Sequence, residues 1–79
     1  MASVTVRYWA AARTAAGIAS ETHEGQTLAD VVRQASEGRP ELARVLGICS
    51  LLVDSARADP ATPLPEGAVV DALPPFAGG

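Results

Sequence analysis

The chain has 79 residues, 48% hydrophobic and 19% charged, with a formal net charge of −3. A domain this short buries only about 60% of the surface its unfolded form exposes, which leaves little interior for a cofactor cavity and argues against a self-contained enzyme. Its six basic residues are arginines scattered along the chain (Arg7, Arg13, Arg33, Arg39, Arg44, Arg57), so nucleic acid is a poor partner.

Ser3 to Ala10 alternates, with Val4, Val6 and Tyr8 on one side and Thr5, Arg7 and Trp9 on the other. That is the period of a half-buried strand whose first set faces the core. Trp9 then falls on the polar face, where it either packs under a neighbouring loop or stands exposed as a partner's anchor. Ala11 to Gly17 reads as a small-residue turn, and Ile18 to His23 as a short second strand paired with the first. His23 has no second ligand nearby and reads as a solvated strand-end residue.

Thr27 and Asp30 resemble a capping box opening an amphipathic helix, in which Leu28, Val31, Val32 and Ala35 recur at helical spacing up to Gly38. Asp30, Arg33, Gln34 and Glu37 make its solvated face. Pro40 opens a shorter helix with Leu42, Val45 and Leu46 as its apolar stripe. Cys49, the sole cysteine, excludes an internal disulfide, suits a reducing compartment and reads as a small buried hydrophobe rather than a nucleophile.

Ser50 to Val53 reads as a buried strand and Asp54 to Pro60 as the polar turn beyond it. Leu64 is an isolated apolar residue between prolines. Pro65-Glu66-Gly67 is a turn, and Ala68 to Leu73 forms the last strand, from which Asp71 is expected to point to solvent. The predicted order is strand, strand, helix, short helix, strand, strand. It predicts an α+β domain with helices covering a mixed sheet whose first and last strands lie side by side; a β-grasp satisfies it, as do other small α+β folds.

Conventional active-site signals are absent: no nucleotide loop, no metal-ligand spacing and no Ser, His and acid set. No apolar run approaches the ~20 residues that span a bilayer, and the N-terminus lacks a targeting pattern, so a cytoplasmic protein without a membrane partner is expected. What remains is the ending Leu73-Pro74-Pro75-Phe76-Ala77-Gly78-Gly79. Two prolines stiffen its start, and Gly78 and Gly79, lacking Cβ, can thread a narrow channel and deliver the terminal carboxylate into another protein's site. A carboxylate is a poor electrophile and needs activation there, for example as an acyl-adenylate that a sulfur nucleophile converts to a thiocarboxylate. The alternative is a chain end without a function.

These residues resemble the MoaD/ThiS sulfur carriers, ubiquitin-like β-grasp proteins, and MoaD, the small subunit of molybdopterin synthase, most of all. The similarity rests on Pro74-Pro75-Phe76-Ala77-Gly78-Gly79, on Val6 to Arg13 with Gly17, on Thr27-Leu28, and on Leu64-Pro65-Glu66-Gly67. It implies a β-grasp domain over residues 1–73 and a flexible tail over 74–79. Gly79 would be adenylated by a MoeB-like enzyme that consumes ATP, then converted to a thiocarboxylate, with Gly78 as the flexible approach. The tail would enter a MoaE-like large subunit, where sulfur passes to a cyclic pterin monophosphate to build molybdopterin. The chain would be a sulfur-donating subunit that holds no cofactor or metal itself. Trp9, Leu73, Pro74, Pro75, Phe76 and Ala77 would form the partner interface.

The sequence departs from the family at Trp9, more usually Phe, which implies a roomier pocket in the large subunit. Asp54 and Ser55 stand where an Asn-containing turn is common, and Arg57 where an apolar contact residue is. Competing readings are a carrier for cysteine or thiamin thiazole synthesis, and a ubiquitin-like modifier joined to targets through Gly79. The Pro74-Pro75 pair disfavours the thiamin carrier. Without lysines of its own, a modifier would build no lysine-linked chains on itself.

Overall fold

The computed structural model describes residues 1–75. Its elements in order are β1 (Ala2–Tyr8), α1 (Ala10–Ala16), β2 (Ser20–Gly25), α2 (Leu28–Ser36), α3 (Pro40–Leu46), β3 (Ser50–Val53), β4 (Ala56–Arg57) and β5 (Val69–Leu73). The strands form one five-stranded sheet in the order β2-β1-β5-β3-β4. β1 and β5 run parallel, pairing Val6 with Val70 and Arg7 with Asp71, and the other neighbours are antiparallel. The first and last strands are adjacent, as expected, and the arrangement is a β-grasp.

Alternation in the two central strands decides what the sheet buries. Val4, Val6 and Tyr8 of β1 and Val70 and Ala72 of β5 turn inward against Leu28, Val31 and Ala35 of α2 and Leu42, Val45 and Leu46 of α3. α2 packs on α3 and α3 on α1, so the helices share one side of the sheet. The same alternation sends Thr5, Arg7, Asp71, Leu73 and Leu52 to the other side, where Arg7, Asp71 and Leu52 form a row across neighbouring strands.

α2 starts as the sequence indicates. The Thr27 hydroxyl accepts from the Asp30 N–H at 3.4 Å, and Asp30 Oδ2 accepts from the N–H groups of Thr27 and Gln26 at 3.2 and 3.0 Å. These backbone donors hold the Asp30 carboxyl below the usual range. Gly25 sits against this turn, and a Cβ there would lie 2.8 Å from Asp30 Cβ.

Three expectations are corrected. The stretch read as a turn from Ala11 to Gly17 is the helix α1, closed by Gly17 in the left-handed conformation (φ 75). Alanine is the strongest helix former, and a run of alanines has no apolar periodicity to announce itself. β2 runs from Ser20 to Gly25, shifted two residues toward the C-terminus from the expected Ile18 to His23. The polar turn after β3 contains a hairpin: Asp54 and Ser55 both adopt positive φ (48 and 72), as a two-residue connection with the right twist requires, and Ala56–Arg57 return as β4. Leu64, the apolar residue between prolines, is buried in the core.

Candidate functional site

Because β1 and β5 are parallel and pair Tyr8 with Ala72, the residues that follow, Trp9 and Leu73, emerge at the same end of the sheet. The Trp9 N–H donates to the Ala72 carbonyl at 3.3 Å, which joins the end of β1 to the root of the tail. Leu73 is half-buried opposite Ser50, Pro74 is buried and Pro75 exposed. The structure thus brings together Trp9, Leu73, Pro74 and Pro75 from the two ends of the chain. Phe76, Ala77, Gly78 and Gly79, the remaining candidates, lie outside the described residues.

Trp9 caps α1 with its carbonyl, which accepts from Ala12 N–H at 3.0 Å, and the next residue, Ala10, turns the chain through φ 50. Its side chain is 44% exposed. Of the two sequence readings, cover by a loop does not hold, and the indole stands at the surface. It is nevertheless fixed: Nε1–H donates to Asp71 Oδ1 at 2.9 Å, and the Arg7 guanidinium lies 5.6 Å from the ring centroid.

Asp71 corrects a further expectation. It does point to the outer side of the sheet, but it is only 5% exposed. Arg7 covers it with a bidentate pair, Nε to Oδ1 at 2.7 Å and Nη2 to Oδ2 at 2.9 Å. The Arg7 bond lowers the Asp71 pKa, burial works against it, and the Trp9 bond adds to the lowering, so the carboxyl stays below its ordinary value. In return Asp71 raises the Arg7 pKa. The sequence reading had missed Arg7 and Asp71; the signal available was their shared outward parity on strands it already placed side by side.

A second polar cluster lies on the helix side. Glu21 Oε2 accepts from Tyr8 Oη at 2.6 Å and from Arg39 Nη2, and lies 2.7 Å from His23 Nε2. His23 Nδ1 is 2.9 Å from Gln34 Oε1, so His23 is half-buried and bonded rather than solvated. Burial would raise the Glu21 pKa, but the bonds from Arg39, Tyr8 and His23 outweigh it and bring it down to about 2. Burial, then the Glu21 bond, raises that of Tyr8. The cluster ties β2 to the helices.

Cys49 lines an apolar groove of about 550 Å³ between α2 and β3, with Leu28, Val32, Leu46 and Leu51 among its walls. Burial pushes its thiol pKa up, away from nucleophile chemistry. Among the described residues no group of three or more His, Cys, Asp or Glu side chains is arranged to hold a metal. No helix among them is long and apolar enough to cross a membrane.

The ThiS family profile matches residues 6–79. Among solved structures, the chain is similar to small archaeal modifier protein 1 of Methanosarcina acetivorans, with a TM-score of 0.89 and 25% identity over 100% of this chain and 98% of that one. It is similar to a chain in the complex of subunits 1 and 2 of the molybdopterin-converting factor of Helicobacter pylori, with a TM-score of 0.73 and 26% identity over 98% of this chain and 99% of that one. Small archaeal modifier protein 1 of Haloferax volcanii shares the fold at 18% identity, with a TM-score of 0.84 over 96% of this chain and 100% of that one. No curated protein matches the chain. The profile spans nearly all of the sequence, and the chain belongs to the ThiS family, as a β-grasp protein of the sulfur-carrier or ubiquitin-like-modifier type.

Proposed function

We propose that the chain is the sulfur-carrying small subunit of a molybdopterin synthase. The observation that carries this is the family match running through Gly79, together with the likeness to the subunit complex of Helicobacter pylori. The Gly79 carboxylate attacks the α-phosphorus of ATP on a MoeB-like enzyme, pyrophosphate leaves, and an acyl-adenylate forms. A hydrosulfide equivalent then attacks the acyl carbon, AMP leaves, and a thiocarboxylate remains. Inside a MoaE-like large subunit its sulfur passes to a cyclic pterin monophosphate, and water restores the carboxylate.

The chain's own part is delivery. β5, paired on both edges, gives the tail a rigid root, and Pro74 and Pro75 extend it. Gly78 and Gly79 offer no side chain to obstruct a channel. Trp9, Leu73, Pro74 and Pro75, with Phe76 and Ala77, form the surface against the large subunit.

The test is the intact mass after incubation with the activating enzyme, ATP and a sulfur donor, with a variant lacking Gly79 as control. Exchange of one oxygen for sulfur in the full chain alone is the expected result. Transfer of that sulfur to the pterin in the presence of the large subunit completes it. No gain, with an enzyme active on another carrier, refutes the proposal.

The likeness to the archaeal modifier favours a second reading, conjugation of Gly79 to lysines of other proteins. Conjugates above the free protein on a denaturing gel, resistant to thiol reductant, would identify it.

A further inference from the structure

The geometry points to Asp71 as a positioning residue that masks the indole N–H of Trp9, so that an exposed tryptophan can enter a wholly apolar socket on the partner. This rests on the proposed interface with a large subunit. An indole carries a large apolar surface and one obligatory donor, and a partner that buries the ring must supply an acceptor or leave the N–H unpaired. Here the acceptor comes from the same chain. Asp71 Oδ1 takes the N–H at 2.9 Å, while 44% of the residue stays open to a partner.

Asp71 is suited to this. It is a carboxylate 5% exposed on the outer side of the sheet, a costly position unless paired. Arg7 neutralises it through both oxygens, and Asp71 Oδ1 accepts from the indole as well as from Arg7 Nε. The guanidinium also faces the ring. Trp9 is thereby held in one orientation before any partner arrives, which removes the ordering cost that a free side chain brings to an interface. The ring offered to the partner then behaves as a purely apolar plate.

The experiment measures the affinity of the large subunit for four carriers: wild type, Asp71→Ala, Trp9→Phe, and the double variant. Asp71→Ala should weaken binding about tenfold, the effect of an N–H left unpaired in an apolar socket. In the Trp9→Phe background, which has no N–H to mask, the same substitution should cost less than about twofold. Asp71→Asn, which keeps an oxygen acceptor, should restore most of the affinity. Equal losses from Asp71→Ala in both backgrounds would overturn the inference. If wild type does not bind the large subunit while the Trp9 signal behaves as described next, the interface reading fails and the masking stands.

A measurement on wild type covers the case in which Asp71→Ala does not fold. The chain has one tryptophan, so its indole N–H gives a single resonance. A proton held by a carboxylate exchanges slowly with solvent and lies downfield of a free indole. Exchange at the rate of a solvated indole would overturn the inference.

Discussion

Acid should unfold this protein partly through Glu21. The carboxylate receives Tyr8, Arg39 and His23, and its pKa falls from the ordinary 4.5 to about 2. A depressed folded-state pKa contributes stability that is complete above the unfolded value and is lost as the pH falls through the folded one, here between about 4.5 and about 2. At about 1.4 kcal/mol per pH unit the gap is worth about 3 kcal/mol, and water reaching a side chain 21% exposed screens it to about 2. Urea unfolding at pH 7 and pH 2.5 should therefore show wild type losing about 2 kcal/mol more than Glu21→Gln over that interval, since Gln cannot titrate. Asp71 and Asp30, whose carboxyls are also lowered, contribute an acid-labile part common to both proteins, which the difference removes. Equal acid losses in the two proteins would refute the argument, and would mean that Arg39 and Tyr8 do not engage the carboxylate in solution.

Other substitutions test the packing. Leu42→Ala, at a side chain with no exposure, should cost about 2–5 kcal/mol by denaturant unfolding, and a loss below about 1 would place α3 elsewhere. Gly25→Ala would drive a Cβ against Asp30 and Val31 and should cost about 1–3 kcal/mol, whereas an unchanged melting curve would mean that the cap of α2 sits farther from β2. Thr27→Ala removes the hydroxyl half of the capping box and should cost about 1 kcal/mol, with restored stability in Thr27→Ser as the check. Trp9→Ala should weaken binding of the large subunit while leaving thiocarboxylate formation, read by intact mass, as it is; unchanged affinity would remove Trp9 from the interface.

The sequence disclosed the elements whose residues carry a period or a cap. Val4, Val6 and Tyr8 alternate, Thr27 and Asp30 announce α2, and Pro40 opens α3; all three appear where they were read. α1 escaped because Ala10 to Ala16 has helix propensity without an apolar stripe, and the helix buries only Ala12. β4 escaped because two residues are too few to show alternation. At the site, the outward direction of Arg7, Trp9 and Asp71 was legible, but their mutual contact was not. It depends on the parallel register that sets Arg7 opposite Asp71, a pairing 64 residues apart that no local pattern encodes. Similarly, one partner of His23, Gln34, lies on α2 and is not legible from the strand, whereas the other, Glu21, is two residues away on the same face of β2.

The place of β5 in the sheet has a consequence for biosynthesis. It is the last described strand in the chain and the middle one in space, between β1 and β3. A nascent chain can close the hairpin of β1 and β2 early, but β1 and β3 each keep an open edge until Val69–Leu73 has left the ribosome. Contacts of such long sequence separation form late and slowly. A message or chain cut short before β5 would yield a product with two sticky edges, a substrate for proteases and chaperones. The sheet therefore cannot close in a chain that stops before Val69, whereas β1 and β3 are both covered once Leu73 is in place.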